Sequence, residues 1–62
     1  MTRLYEAMWD ESYVRPGTRT MSEKHFHADN GYDIDDLQRI TALEVGEQAE
    51  LDGSHHFVKR IR

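Results

Sequence analysis

Cysteine is absent from this chain of 62 residues, and proline occurs only once, at Pro16. Without cysteine there is no disulfide staple and no thiolate zinc site, so a chain this short must be stabilised by its core, by oligomerisation or by a partner. Folding buries only about 60% of the unfolded surface at this size, which argues against a deep catalytic pocket. The lack of cysteine also fits a reducing compartment.

Long apolar runs are missing as well. No stretch approaches the roughly 20 apolar residues that span a bilayer, and no basic segment followed by an apolar one and a small-residue cleavage site opens the chain. At 37% apolar and 32% charged, the composition is polar but still globular. We therefore expect one cytoplasmic domain over residues 1–62, without membrane contact.

Negative charge is concentrated in the middle of the chain. Residues 29–52 contain eight carboxylates and one base, Arg39, which gives a local net charge of −7. The eight are Asp29, Asp33, Asp35, Asp36, Glu44, Glu47, Glu50 and Asp52. Two interpretations stay open: the acids form a solvated exterior that keeps a small protein in solution, or they present a negative surface to a basic partner.

The clearest local signals predict a helix over residues 31–45. Asp33 is a good N-cap, with the acidic Asp36 three residues later, and Gly46 offers a left-handed position after the last apolar residues. An apolar stripe recurs every three residues and must be covered by the rest of the chain. Its members are Ile34, Leu37, Ile40 and Leu43.

The N-terminal arm, residues 1–22, is harder to interpret. Residues 2–14 could form a short helix, in which Tyr5, Trp9 and Tyr13 would share one side at a spacing of four. Three exposed aromatics would be a typical set of protein-binding anchors, and the alternative is that they are ordinary core. Pro16 and the glycine after it end any helix, and residues 18–22 read as a connector.

The remaining module, residues 23–62, predicts a sheet. Residues 23–28 alternate like a half-buried strand, with His25 and His27 on one face. Residues 48–51 and 56–61 flank Asp52-Gly53, a strong hairpin signal. We therefore expect an α+β fold with a three-stranded antiparallel sheet and one main helix, in the order strand, helix, strand, strand, with the N-terminal arm added to it.

Four histidines are the candidates for site chemistry. His25 and His27 could place two imidazoles on one metal, with a third ligand from His55 or His56. No phosphate loop and no nucleophile motif is present, and few bases are available for nucleic acid. The sequence therefore predicts no catalytic residue, no bound metal or other cofactor, and no direct nucleic-acid binding.

The segment GYDIDDLQRITALEVGEQAELDGSHHFVKRI, residues 31–61, resembles the helix-plus-hairpin pattern of small open reading frames from bacteriophages and other mobile elements. The residues that fit the pattern are Gly31, Tyr32, Leu37, Ile40, Leu43, Val45, Gly46, Glu47, Leu51, His56, Val58, Arg60 and Ile61. Small acidic chains of this kind include anti-CRISPR proteins. The resemblance implies a stoichiometric inhibitor that acts in the host bacterial cytoplasm and occludes a nucleic-acid-binding site.

Two functions follow as hypotheses. The first is a non-enzymatic interaction protein, a phage-encoded anti-CRISPR inhibitor whose partner is a protein complex with a basic nucleic-acid-binding surface. Its predicted contact residues are Tyr5, Trp9, Tyr13, Asp29, Asp35, Asp36, Glu44, Glu47, Glu50 and Asp52. The second is a small metal- or nucleic-acid-associated regulatory domain that uses the histidines and the basic residues 59–62.

Overall fold

A computed structural model describes residues 2–62, so Met1 of the expected domain lies outside the described part. The elements are β1 (Leu4–Trp9), β2 (Gly17–Ser22), α1 (Ile34–Thr41), β3 (Gln48–Leu51) and β4 (His56–Arg60). All neighbouring strands pair antiparallel in the order β2-β1-β4-β3. The first and last strands of the chain are therefore neighbours at the centre of the sheet.

The N-terminal arm is a β-hairpin, which corrects the prediction of a three-stranded sheet with a possibly helical arm. Tyr5 and Ala7 are buried while Glu6 and Met8 are exposed, the two-residue alternation of a strand with one covered face. The expected connector at residues 18–22 belongs to β2, which pairs with β1 along its whole length. The sheet thus has four strands, and β1 is central because both β2 and β4 pair with it.

Residues 23–28, expected as a strand, instead form short 3₁₀ turns at Glu23–His25 and Ala28–Asn30. Local hydrogen bonds take the place of a ladder: the side-chain amide of Asn30 donates to the carbonyl of His25 at 2.7 Å. Gly31 then takes a left-handed conformation with φ of 92°, which glycine adopts without steric cost. This compact segment carries Phe26 and Tyr32 into the core.

The predicted N-cap of α1 is confirmed, although the helix is shorter than expected. The backbone amide of Asp36 donates to a carboxylate oxygen of Asp33 at 2.8 Å, which satisfies one of the free amides of the first turn. Along the apolar stripe, Ile40 is 3% exposed and Ile34 is 67% exposed, so only the C-terminal part of the stripe faces the sheet. Within residues 2–62, no helix combines the length and the apolar character needed to cross a membrane.

The predicted hairpin of β3 and β4 is confirmed, with a 3₁₀ turn at Asp52–Ser54 between the strands. Ala49 and Leu51 point into the core as expected, and β4 is buried on both faces: Val58 lies inside and Phe57 is half-buried on the other face. The core lies between the inner face of the sheet, α1 and the 3₁₀ segment. Its members are Tyr5, Ala7, Phe26, Tyr32, Ile40, Leu43, Ala49, Leu51 and Val58.

Candidate functional site

A cleft of about 520 Å³ opens between the start of α1 and the end of the sheet where β1 ends and β4 begins. Aromatic rings and carboxylates share its walls. We call it the acidic cleft, and its lining residues are Trp9, Tyr13, Asn30, Gly31, Tyr32, Asp33, Asp36, Leu51, Asp52 and His56. Four separate parts of the chain therefore converge on one site.

Trp9 forms one wall because it is the last residue of β1 and directly opposes His56 in the register of the sheet. The indole and the imidazole stack with ring centroids 4.6 Å apart and planes inclined by 20°. The guanidinium of Arg19, on β2, lies 4.5 Å from the centre of the Trp9 ring system, which is a cation–π distance. The position of the indole is therefore set by contacts from two neighbouring strands.

His56 is 4% exposed and forms the floor of the cleft. Its Nδ1 lies 2.8 Å from the carbonyl oxygen of Met8, and its Nε2 lies 2.9 Å from the hydroxyl of Tyr32. Because a carbonyl oxygen only accepts, the neutral ring carries its proton on Nδ1 and accepts the Tyr32 hydroxyl at Nε2. Burial, with a smaller contribution from the Asp36 carboxylate, raises the pKa of Tyr32 to about 12, so the phenol keeps its proton.

Two carboxylates of the cleft are held in place by the fold. Asp33 accepts the Asp36 amide through Oδ1, and Asp52 accepts the hydroxyl of Tyr13 through Oδ2. Burial and the hydrogen bond to Asp52 raise the pKa of Tyr13 to about 12, so this phenol is also neutral. The cleft therefore presents negative charge from carboxylates and neutral hydroxyl groups from its two tyrosines.

A polar clamp beside the cleft joins the β1–β2 loop to the β3–β4 turn. Nδ1 of His55 lies 2.6 Å from Oδ2 of Asp10, and the amide and hydroxyl of Ser12 donate to the other oxygen of that carboxylate. Ser12 followed by His55 lowers the pKa of Asp10 to about 2, and the Asp10 carboxylate raises the pKa of His55. Because Ser12 donates to the carboxylate and not to the imidazole, the three groups do not form an activated nucleophile. Their role is to fix the loop that carries Tyr13.

The histidine pair proposed from the sequence does not share a strand face, because residues 23–28 form no strand. The His25 ring packs edge-on against Phe26, Tyr32 and Trp9, with centroid distances of 5.2, 5.9 and 6.2 Å. Burial, and then the nearby His27, lower the pKa of His25. Among residues 2–62, no three histidine or carboxylate side chains are grouped closely enough to hold a metal ion.

The structure separates the predicted contact residues into three groups. Tyr5 is 2% exposed and packs edge-on against Phe26, so it is core and not a partner contact, which corrects that part of the prediction. The acidic cleft contains Trp9, Tyr13, Asp36 and Asp52. Exposed positions outside its lining are Asp29, Asp35, Glu44, Glu47 and Glu50.

Six residues of the cleft lining were missed as contact candidates: Asn30, Gly31, Tyr32, Asp33, Leu51 and His56. In the sequence, Asp33 is recognised as the N-cap of a helix and Tyr32 as the residue before it. These local roles do not indicate that both residues also line the cleft. His56 follows another histidine and occupies an inward position of β4, directly opposite Leu51 in the hairpin. An inward histidine in an otherwise apolar pattern was the one available signal.

Comparisons with known protein families, with curated proteins and with solved structures find no match. The resemblance to small phage reading frames stays a prediction from the sequence.

Proposed function

We propose that this chain is a small, non-enzymatic binding protein that engages a basic surface of a protein partner through the acidic cleft. The specific form of the proposal is a phage-encoded anti-CRISPR inhibitor that covers the nucleic-acid-binding surface of a bacterial defence complex in the host cytoplasm. One observation carries the proposal: three carboxylates and three aromatic rings line a single cleft, contributed by Asp33, Asp36, Asp52, Trp9, Tyr13 and Tyr32.

The charge of the cleft favours a basic partner over nucleic acid. Within the described residues, its lining contains three carboxylates and no lysine or arginine. A phosphate backbone would be repelled by this arrangement, whereas a surface built to bind phosphates has the complementary sign. A protein that occupies such a surface would exclude nucleic acid from it.

The remaining acids extend the negative potential beyond the cleft. Glu44, Glu47 and Glu50 are exposed on the turn before β3 and on β3 itself. Exposed charges contribute mainly to the rate and orientation of encounter, and their effect is screened over about 8 Å at physiological ionic strength. We assign these three residues to long-range steering and the cleft to short-range contact.

The first test captures the partner from a bacterial lysate and measures its association and dissociation rates against the pure chain. The triple change Glu44→Gln, Glu47→Gln and Glu50→Gln is expected to slow association at low salt and to leave dissociation nearly unchanged. Glutamine keeps the acceptor oxygens that receive the Glu44 amide and the Ser54 hydroxyl, so the fold is expected to survive. A control that changes three exposed bases, Arg15, Lys24 and Arg39, to Gln should not slow association.

The second test addresses the specific form of the proposal. Purified CRISPR effector complexes are incubated with the chain, and target-DNA binding is followed by electrophoretic mobility shift. We expect loss of DNA binding at a stoichiometric ratio, reversed by raised salt. If DNA binding is unchanged for every effector type and the captured partner is of another kind, the anti-CRISPR form of the proposal fails. The general form, a protein that binds a basic surface of a partner, would remain.

A further inference from the structure

β2 (Gly17–Ser22) forms one edge of the sheet, and its outer side is unpaired. Among residues 2–62 it pairs with β1 alone, in an unbroken register over six residues. The free amides and carbonyls of an edge strand can pair with another chain. We propose that β2 pairs antiparallel with β2 of a second copy around a two-fold axis, which joins the two sheets into one continuous sheet. This inference does not depend on the proposed function.

The direction of the backbone groups of β2 follows from the ladder that it forms with β1. The amide of Glu23 donates to the carbonyl of Arg3 at 3.2 Å, one step beyond the end of the register between the two strands. Hydrogen-bonded and non-hydrogen-bonded pairs alternate along an antiparallel ladder. The odd-numbered residues of β2 therefore point their amides and carbonyls toward β1, and the even-numbered residues point theirs away from the sheet. These outward-facing residues are Thr18, Thr20 and Ser22, and no hydrogen bond among residues 2–62 uses their backbone groups.

β2 lacks the features that commonly keep an edge strand from pairing. It contains no proline, no lysine and no carboxylate, and its register with β1 has no bulge. Its one charged residue, Arg19, lies on the inner face of the sheet, with its guanidinium over the Trp9 ring. The opposite edge strand, β3, has only four residues, and Glu47 and Glu50 would lie near the same carboxylates of a second copy. β2 is therefore the edge that is open to a second copy.

The sequence of β2 is suited to pairing with itself. With the two-fold axis at Thr20, that residue lies opposite Thr20 of the second copy, and Thr18 lies opposite Ser22. The outward-facing residues then form hydrogen-bonded pairs, each of which exchanges two N–H···O bonds. Their hydroxyl side chains share one face, where threonine and serine make favourable cross-strand pairs. Arg19 lies opposite Met21, so no like charges are opposed in this register.

The distribution of charge also favours a second copy at this edge. None of the eight carboxylates of residues 29–52 lies on β2, and β3 is at the far edge of the sheet. Near the β2 edge, Arg15 and Glu23 are exposed and form no ion pair within the described residues. In the two-fold register Gly17 faces Glu23 of the second copy, so Arg15, two positions earlier, lies diagonal to that carboxylate. Two complementary contacts of this kind flank the paired strands.

The first test follows the state of association as the concentration rises. Pairing along one edge buries little surface, so we expect a weak dimer that sedimentation equilibrium detects between micromolar and millimolar concentrations. Amide hydrogen exchange over the same range should slow at Thr18, Thr20 and Ser22 and stay constant at Arg19 and Met21, which already point to β1. A chain that remains monomeric at millimolar concentration would overturn the inference. Protection of these three amides only after the captured partner is added would replace the second copy with a strand of that partner.

A matched pair of lysine variants identifies the edge. Thr20 and Gln48 are exposed residues on the two edge strands, and both changes add the same charge. Thr20→Lys places two lysines opposite each other at the two-fold axis and should raise the dissociation constant of the dimer by about fivefold. Gln48→Lys should change it by less than about twofold, and circular dichroism checks that both variants are folded. Equal effects of the two changes would show that β2 is not the interface.

A cysteine variant tests the register itself, because the natural chain has no cysteine. The Cα atoms of a hydrogen-bonded antiparallel pair are about 5.5 Å apart, within the roughly 4.4–6.8 Å that a disulfide spans. Thr20→Cys should therefore form a covalent dimer under mild oxidation at least about fivefold faster than Gln48→Cys, which is exposed on the other edge. Equal rates of cross-linking for the two variants would contradict a two-fold axis at Thr20.

Discussion

Tyr32 and His56 are joined across the core by a hydrogen bond of 2.9 Å between the tyrosine hydroxyl and Nε2 of the imidazole. Tyr32 precedes the N-cap of α1 and His56 is the first residue of β4, so the hydrogen bond joins the start of the helix to the start of that strand. Since the other ring nitrogen donates to the carbonyl of Met8, the imidazole links the helix start to β1 as well. The acidic cleft is built around this linkage, so its shape depends on the same contacts that hold the helix on the sheet.

Removal of the Tyr32 hydroxyl should therefore destabilise the fold. Tyr32→Phe leaves a buried imidazole nitrogen without its donor, at a cost of about 1–3 kcal/mol in the free energy of unfolding. The control is Tyr13→Phe, which removes a hydroxyl bonded to the exposed Asp52 and should cost under about 1 kcal/mol. Urea unfolding of both variants measures the difference, and equal values would mean that the hydrogen bond to His56 contributes no more than a surface one.

Ile40 and Ile34 lie on the same apolar stripe of α1 but differ in burial. Ile40→Ala should reduce the free energy of unfolding by about 2–5 kcal/mol, because it leaves a cavity under the helix. Ile34→Ala should change it by about 0.5 kcal/mol or less, because the side chain is exposed. Leu37→Ala, at a half-buried position, should fall between the two. The same urea titrations measure all three, and a small effect at Ile40 would contradict the packing of the helix on the sheet.

The cap at Asp33 gives a prediction that separates stability from binding. Asp33→Ala should lower the free energy of unfolding by about 1 kcal/mol, whereas Asp33→Asn should preserve it, since asparagine is an equally good N-cap. Thermal unfolding checks the stability of both. If Asp33→Asn is stable but no longer binds the captured partner, its carboxylate is a direct contact in addition to a cap.

The clamp between His55 and Asp10 predicts a pH dependence. The pKa of His55 is raised above its usual 6.5, so the stabilisation is complete below pH 6.5 and is lost as the pH rises through the folded value. The pKa of Asp10 is lowered from 3.8 to about 2, so its stabilisation is present above pH 3.8 and is lost as the pH falls toward 2. The clamp is thus strongest between these limits.

His55→Gln tests that window. The variant should lower the melting temperature more at about pH 5.5 than at about pH 9, because the wild-type imidazole loses its proton as the pH rises through its raised pKa. His27→Gln is the matched control, because His27 is exposed and its ring contacts only the side chain of Asn30 among the hydrogen bonds of residues 2–62. If His55→Gln lowers the melting temperature equally at both pH values, the ion pair between His55 and Asp10 does not form.

Local signals of the sequence were sufficient for α1 and for the hairpin of β3 and β4. Asp33 and Asp52-Gly53 act through bonds to near neighbours in the chain, and such effects are visible without a structure. The N-terminal strands were missed because a spacing of four, as between Tyr5 and Trp9, places two residues on one face of a helix and also on one face of a strand. Ala7 lies midway between them and is buried together with Tyr5, which fits the two-residue alternation of a strand and not the face of a helix.

The acidic cleft could not be predicted in the same way, because it depends on long-range contacts. Trp9 and His56 are brought together only by the pairing of the first strand with the last. Tyr13 and Asp52 are 39 positions apart in the chain, and the Asp10–His55 clamp joins the loop and the turn that carry them. The sequence indicated the acidic character of residues 29–52, but the sheet order determines which of those acids face aromatic rings.

A titration of the isotope-labelled chain with the captured partner, followed by two-dimensional NMR of the backbone amides and of the Trp9 indole, tests most directly whether the acidic cleft is the contact surface. The largest shift changes are expected at the Trp9 indole, at residues 30–33 and at Asp36 and Asp52, all of which line the acidic cleft. Changes of equal size around Glu44, Glu47 and Glu50, with an unmoved Trp9 indole, would contradict this expectation.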